Sequence, residues 1–540
     1  MRCNQRILCG LAALLTAGSA GFLQVSGGGT VSAGQVMPDF SYLGAFGSLS
    51  AAETMQTARA VYQGLAAHSD AIDLGTVQVM QENLSDIAAL YREVASVTDA
   101  GLLSSTQISL AYSAGRMLLR PGYLAEGAAY AEMYQDCEKQ IEAILSGVDP
   151  AWSEAEKALY LHDYLAIHYN YDYPALYGDA ERPYREQYTA YGLLRNGAAV
   201  CQGYSELYAL LLNRVGIAAR MVASRELNHA WNYVRIDGQW YFTDVTWDDS
   251  FQYYAGEMTH TSFLRTTAEM EQTKHTSTDW LLPDGTNVYG AVTSERFSNA
   301  FWVSCSAVVP WQGKWAAFDS SSNTVSVYDY NAAAYSVRTE TVDAPAASLL
   351  KWPVIGKPGY YWQNAFVIPA AANGVLYYSL PDQILAVRYG APQTVLELTD
   401  AELQKGRIYG LYVQDGYLYY GIDSGPNYSD YLTQTIEYTA VPLSSLEQRL
   451  GGSDPVTSPQ PKGGDPDGDG AVTNKDAQTV LVAYTGSLGT GKVDLPEDAL
   501  KAADVNGDGK VGVDDAQYIL IYYTENTIAG NPTTWEDVIQ

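Results

Sequence analysis

Bulky apolar residues recur at Tyr204, Leu207, Tyr208, Leu211, Leu212 and Val215. This i, i+3, i+4, i+7, i+8, i+11 spacing predicts a helix that buries one face. Gly216 stands where a C-terminal cap glycine belongs, so the helix runs from near Cys201 to Val215. The same period covers Ala51 to His68, Leu74 to Val97 and Ala125 to Leu145, and residues 37–150 read as a helical region. Another helix starts at Ser153, where Ser153-Glu-Ala-Glu156 makes a capping box behind Asp149-Pro150, and continues to Tyr169. His162 and His168 fall on it. No spaced carboxylate or cysteine suggests metal ligation, and both read as packed or surface imidazoles.

Beyond Gly216 the period shortens to two. Ile217 to Ser224 is a short strand candidate, and Asp237-Gly238 separates the runs Asn228–Ile236 and Gln239–Trp247. Asp-Gly between aromatic and β-branched runs predicts a two-residue hairpin. Ile236 then faces Gln239, and stepping outward sets Trp231 against Asp244. His229 lies two residues beyond Trp231 on the same face, a diagonal cross-strand neighbour of Asp244. Asp248 and Asp249 read as loop. From about Phe297 to Ser445 short β-like runs dominate, with a loose repeat in Gly313-Lys-Trp-Ala-Ala-Phe, Gly374-Val-Leu-Tyr-Tyr-Ser and Gly416-Tyr-Leu-Tyr-Tyr-Gly. Such units suggest a propeller-like or sandwich-like all-β region. Many of the 43 tyrosines fall here, as strand formers or as a binding face. Gly451 to Gly464 has the composition of a linker.

Length and charge narrow the picture. A chain of 540 residues exceeds one core and predicts several domains. Its net charge of −30 repels phosphate backbones and anionic lipid heads, so nucleic-acid and membrane-surface binding are not expected, and beyond the N-terminal stretch no apolar run is long enough to predict membrane insertion. The start, Met-Arg-Cys-Asn-Gln-Arg6 followed by apolar Ile7 to Ala17 and small Gly18-Ser-Ala20, reads as an export signal, with a second cut plausible at Val31-Ser-Ala33. An exported chain then keeps Cys137, Cys201 and Cys305, which cannot all pair, so at least one thiol is free.

Cys201 is the thiol placed for chemistry. At a helix start, unpaired N–H groups and the dipole favour thiolate, and the thiolate is the nucleophile. With His229 to move its proton and Asp244 to hold the imidazole, the trio satisfies the logic of thiol acyl transfer, with no cofactor. The Cys201 N–H would serve as an oxyanion donor, and Tyr191 is a candidate for a second. The stretches Leu161-His-Asp-Tyr164, Tyr188-Thr-Ala-Tyr-Gly192, Val200-Cys-Gln-Gly-Tyr204, Asn228-His-Ala-Trp-Asn232 and Trp240-Tyr-Phe-Thr-Asp-Val-Thr-Trp-Asp248 resemble the transglutaminase-like superfamily. The resemblance covers about 151–280 and implies a papain-like α+β core, a Cys201, His229, Asp244 triad, and a peptidase or amidase more than a cross-linker.

Two acidic loops close the chain. Asp465, Asp467, Asp469 and Asp476, and Asp504, Asn506, Asp508 and Asp515, hold places 1, 3, 5 and 12 of twelve-residue calcium loops. Ala471 and Lys510 supply carbonyls at place 7, Thr473 a further ligand, and Gly470 and Gly509 the sharp turn. Each loop leads into an apolar helix, Ala477 to Tyr484 and Ala516 to Tyr523. The pair resembles a type I dockerin over 465–527, a small EF-hand-like helical module. That resemblance implies two Ca2+ ions and docking on a cohesin of a cell-surface, cellulosome-like scaffold for polysaccharide breakdown. Asn474, Lys475, Val513 and Asp514 would then face the cohesin.

The expected layout is a signal (1–33), a helical region (37–150), a transglutaminase-like domain (151–292), a β-rich region (293–448), a linker (449–464) and a dockerin (465–527). The expected function is a secreted thiol acyl-transfer enzyme on a protein or peptide substrate. The alternatives are a non-catalytic adaptor that binds glycan or peptide through its β-rich region, or a carbohydrate-active component of the same complex.

Overall fold

The computed structural model describes residues 37–75, 84–113, 115–176, 183–249, 254–346, 348–354, 357–363, 366–425, 436–450, 463–466, 472–490, 493, 495, 497–529, 531 and 533–539. The export signal, most of the linker, and Asp467, Asp469, Gly470 and Ala471 of the first calcium loop lie outside them. The chain divides into two compact units, one up to Leu443 and one from Ser444.

The first unit opens with α1 (Ala51–Ala66), capped reciprocally by Ser50 and Glu53. Then come β1 (Ile72–Asp73), α2 (Leu84–Ser96), β2 (Ser104–Ser113), β3 (Arg116–Tyr123) and α3 (Gly127–Leu145). The region read as helical therefore contains a three-stranded antiparallel sheet in the order β1-β3-β2. Ile108, Leu110 and Tyr112 alternate along β2 with period two, and Gly115, at φ +81°, helps turn the chain back. Leu74, read as a helix start, instead donates its amide to Met117 O at 2.9 Å, so the predicted start of that helix is overturned.

The α+β core follows: α4 (Glu154–His168), β4 (Asn170–Tyr171), α5 (Tyr173–Leu176), α6 (Ala190–Asn196), β5 (Ala198–Ala199), α7 (Cys201–Arg214), β6 (Ala219–Ser224), β7 (His229–Ile236), β8 (Gln239–Thr243), α8 (Val245–Asp248) and α9 (Thr267–Gln272). Ser153 and Glu156 cap α4 as their spacing predicts. Helix α7 is buried along most of its length, because α4 and α6 pack on it as well as the antiparallel sheet β6-β7-β8. Asp237 and Gly238, at φ +47° and +81°, form the tight turn, and Ile236 pairs with Gln239 and Asn232 with Thr243. Arg220 of β6 clasps Glu93 of α2 through two 2.9 Å hydrogen bonds in a buried ion pair.

Asp248 and Asp249, read as loop, are buried, and Asp248 closes α8. Its carboxylate accepts from the Ser262 amide at 2.8 Å and from the Thr259 and Thr261 hydroxyls, and lies 3.2 Å from His162 Nε2. His168 is packed as expected, against Tyr164 and Tyr412.

The β-rich region is all antiparallel, in separate sheets rather than two faces of a sandwich. They are β9 (Val309–Trp311) to β12 (Ser336–Asp343), through β10 (Lys314–Asp319) and β11 (Thr324–Asn331); β13 (Lys351–Pro353) with β14 (Tyr361–Gln363); and β15 (Pro369–Ala372) to β18 (Gln393–Glu397), through β16 (Val375–Ser379) and β17 (Gln383–Val387). After α10 (Asp400–Lys405) come β19 (Arg407–Gln414), β20 (Tyr417–Asp423) and β21 (Tyr438–Pro442), then α11 (Leu443–Glu447). The repeated glycines have one job. Gln312-Gly313, Asn373-Gly374 and Asp415-Gly416 are all pairs at positive φ, the tight-turn geometry joining the first two strands of three sheets. Edge strand β15 packs on the edge strands β9 and β19, as blades meet in a propeller.

In the second unit α12 (Asn474–Thr490), α13 (Glu497–Ala503), α14 (Val513–Tyr523) and α15 (Trp535–Val538) surround a small core of Ala477, Val480, Ala503, Val511, Ala516 and Ile519. Helices α12 and α14 each begin three residues before the apolar runs, because the last loop residues form their first turns. Among the described residues no helix is long and apolar enough to cross a membrane.

Candidate active site

Strands β4 and β5 pair in parallel, Asn170 with Ala198 and Tyr171 with Ala199, just before α7 starts. That pairing sets Cys201, 8% exposed, at the first turn of α7 with Tyr171 beside it. The Tyr171 hydroxyl is within hydrogen-bond reach of both the Cys201 amide and its thiol. From there the hydroxyl can donate to an oxygen that develops charge beside Cys201. Tyr191, weighed for that role, instead accepts from Arg195 at 2.9 Å.

Strand β7 begins at His229, and β8 ends one residue before Asp244, the N-cap of α8. One Asp244 oxygen, Oδ1, accepts from the Thr246 amide and hydroxyl at 3.0 and 2.7 Å and from the Trp247 amide at 3.3 Å. The other, Oδ2, lies 2.6 Å from His229 Nε2. A carboxylate only accepts, so Nε2 carries the hydrogen and Nδ1 is left for the Cys201 thiol, with which His229 is hydrogen-bonded. The structure thus brings the three predicted side chains into one buried line. Trp247 stacks on the His229 ring at 4.6 Å and Trp231 at 5.8 Å.

Burial alone would raise the Cys201 thiol, but the charge and hydrogen bond of His229, with the Ala230 amide, hold it below the ordinary range. Burial alone would lower His229, but Asp244 and the Cys201 sulfur push it up to about 10. Asp244 is held well below the usual carboxylate range against its burial, by His229 first and His275 next. All three shifts favour thiolate, imidazolium and carboxylate together.

Sequence reasoning missed Tyr171 and His275. His275, fully buried, places Nε2 2.9 Å from the same Asp244 Oδ2. Neither the 31 residues separating it from Asp244 nor the turn that carries it has a pattern to read. A second buried cluster joins His162 Nδ1 and His260 Nε2 to Asp163 Oδ1 at 2.9 and 2.8 Å. Among the described residues these two are the groups whose ligand atoms gather tightly enough for a metal. In both, the imidazoles and carboxylates already hydrogen-bond one another.

Beside the next turns of α7 a pocket of about 380 Å³ is lined by Gln202 and Glu206, by Met221 and Ala223 of β6, and by Leu281 and Leu282. Burial pushes the Glu206 carboxyl up to about 7.

In the second unit Asp504, Asn506 and Asp508 each accept a loop amide, as does Asp515, whose Oδ2 takes the Gly512 amide at 2.8 Å. Asp465 and Asp476 are buried, and Thr473 donates its amide to Asp476 at 2.8 Å. Asn474 and Lys475 open α12, Val513 and Asp514 open α14, and all four are exposed.

Residues 142–245 match the family model described as the transglutaminase-like superfamily. No curated protein matches. A solved structure titled as the crystal structure of a TGase is 20% identical over 26% of this chain and 44% of its own, at a TM-score of 0.20. The match therefore spans less than half of that protein's length. Residues 142–245, which carry Cys201, His229 and Asp244, are a transglutaminase-like domain.

Proposed function

We propose that the core domain is a cysteine-dependent acyl-transfer enzyme acting on peptide or amide bonds, with Cys201 as nucleophile, His229 as base and acid, and Asp244 holding His229. The buried line from Cys201 through His229 to Asp244, polarised toward thiolate and imidazolium, carries this reading. The thiolate attacks the carbonyl carbon, forming the C–S bond as the π pair moves onto oxygen. The Cys201 amide then donates to that oxygen, with the Tyr171 hydroxyl as the second donor. Collapse breaks the C–N bond, and the amine leaves with the His229 Nδ1 proton. An acceptor gives a proton back to His229, attacks the thioester and releases the thiolate. Water gives a protease or amidase; a lysine amine gives a cross-linker. We put hydrolysis first, because water needs no second docking surface.

Incubation with a mixed protein substrate and a labelled primary amine tests this. Unlabelled fragments indicate hydrolysis, and label bound to protein indicates transfer. Neither product, with Cys201 alkylated no faster than a free thiol, refutes the acyl-transfer reading. It would support the adaptor, whose exposed Tyr335, Tyr360, Tyr361, Tyr389 and Tyr417 suit glycan or peptide.

We read the C-terminal unit as a dockerin that tethers the exported enzyme to a cohesin-bearing scaffold. The second loop offers oxygen alone, from Asp504, Asn506, Asp508, the Lys510 carbonyl and Asp515, a donor set that fits Ca2+. Bound there, the ion would supply folding energy and no chemistry. Chelation with EDTA is expected to abolish capture by a type I cohesin while the alkylation rate of Cys201 stays unchanged. Undiminished capture in excess EDTA refutes the calcium role.

A further inference from the structure

Asp244 Oδ2 receives two imidazole N–H groups, from His229 at 2.6 Å and from His275 at 2.9 Å. His275 reaches the carboxylate from the turn after α9. Lys274, at φ +78°, bends that turn, and the His275 and Thr273 amides both bond to Met270 O. Its Nδ1 lies 3.2 Å from the Thr273 hydroxyl, which donates to Met270 O at 2.8 Å. Trp247 packs on His275 at 3.9 Å and also covers His229, and Trp231 closes the His275 edge at 5.1 Å. The ring is fixed on every side and fully buried.

We propose that His275 is a positioning residue that tunes His229 through their shared carboxylate oxygen. The inference rests on the acyl-transfer reading of Cys201, His229 and Asp244. The groups that face this oxygen are His229 from β7, His275 from the turn after α9, and, one bond further on, Cys201 from α7 with the Tyr171 hydroxyl. With Oδ1 held by Thr246 and Trp247, the His275 N–H fixes the carboxylate plane before His229 engages it. The positive end of that N–H also draws on the charge that would otherwise act on His229 alone. In water-free surroundings such a donor weighs heavily. Its sign is definite: His275 makes His229 less basic, so its imidazolium yields a proton to the leaving amine more readily. Without His275, Asp244 would hold the imidazolium tighter. The thiolate and imidazolium pair would persist over a wider pH range and turn over more slowly.

The test follows turnover of the mixed protein substrate, and iodoacetamide alkylation at Cys201 by peptide mass, from pH 3 to 11, in the full chain, for the wild type, His275→Phe and His275→Gln. Phe keeps the ring among the tryptophans and removes the donor; Gln restores an N–H. In His275→Phe the alkaline limb of turnover, where the His229 imidazolium loses its proton, is expected to rise by about one pH unit or more, the ordinary effect of a neighbouring polar or charged group, while the acid limb, set by Cys201 ionising beside an already charged His229, does not fall. Turnover at neutral pH should fall about 10-fold. His275→Gln should return both toward wild type. An alkaline limb of turnover that stays put or moves downward in His275→Phe overturns the proposal, as does equal behaviour of a folded His275→Gln and His275→Phe. Were the wild type itself to show no depressed acid limb, the acyl-transfer reading would fail first, a result distinct from a wild-type alkaline limb that the variants leave in place. A thermal melt of each variant separates loss of fold from the pH shift.

Discussion

Replacing Cys201 by alanine is expected to abolish both peptide-bond hydrolysis and amine incorporation, without lowering the melting temperature. The side chain is small and buried at a helix start, and its amide donates to the same acceptor whichever residue stands there. Removing the sulfur leaves a one-atom void and no unpaired charge, because His229 still faces the Asp244 carboxylate at 2.6 Å. Asp244→Asn is the more informative companion. Its amide would have to face two imidazole N–H groups with an NH2, or turn that NH2 onto the Thr246 and Trp247 amides. Neither orientation satisfies both sides, so His229 loses its tautomer and its charge partner. A loss of about 10,000-fold in turnover is expected, the scale found when a triad carboxylate becomes an amide. Persistence of either activity in Cys201→Ala would remove Cys201 from the mechanism.

The chain made parts of this site legible and hid others, for physical reasons. His229 and Asp244 could be paired because Asp237-Gly238 fixes a hairpin register, and each step outward from a tight turn is determined. Cys201 could be placed because one amphipathic helix follows it. Tyr171 could not, since a two-residue parallel pair across 27 residues has no local signature. His275 and His260 reach their carboxylates from irregular turns, where neither period two nor period 3.6 applies. The β2–β3 hairpin was masked for a related reason. Its Ser- and Ala-rich alternation is a weak period-two signal between strongly helical neighbours. The glycine repeat of the β-rich region was legible because each glycine meets the same backbone need for positive φ.

The second large effect concerns stability, and it reaches the site through Asp248. Asp163 Oδ1 accepts from His162 and His260, Asp163 Oδ2 takes the Val308 amide at 2.7 Å, and His162 Nε2 lies against Asp248. Four titratable side chains from α4, α8 and the 259–262 segment are thus buried together, tied to the first residues of the β-rich region. Burial alone would depress His162, but Asp163 and Asp248 raise it to about 9. Burial alone would raise Asp163, but the two imidazoles lower it. A group raised on folding binds its proton more tightly in the folded state. The His162 contribution is therefore full below its unfolded value near 6.5 and is lost as pH rises through about 9. The Asp163 contribution runs the other way, present above 3.8 and lost as pH falls. Between pH 6 and 10 the wild type should lose on the order of 3 kcal/mol through His162. His162→Phe should lose about 3–5 kcal/mol at pH 7, because two buried carboxylates are left short of a partner. It should also lose the slope. His162→Gln, which keeps a donor and cannot titrate, should lose less and be equally flat. Denaturant midpoints followed by tryptophan fluorescence read this directly, since ten of the eleven tryptophans precede Leu443. A wild-type midpoint that does not fall between pH 6 and 10 would falsify the assignment of a charged His162. Because Asp244 begins and Asp248 ends the four-residue helix α8, the same variants should also slow alkylation at Cys201, by loosening the carboxylate that His229 leans on.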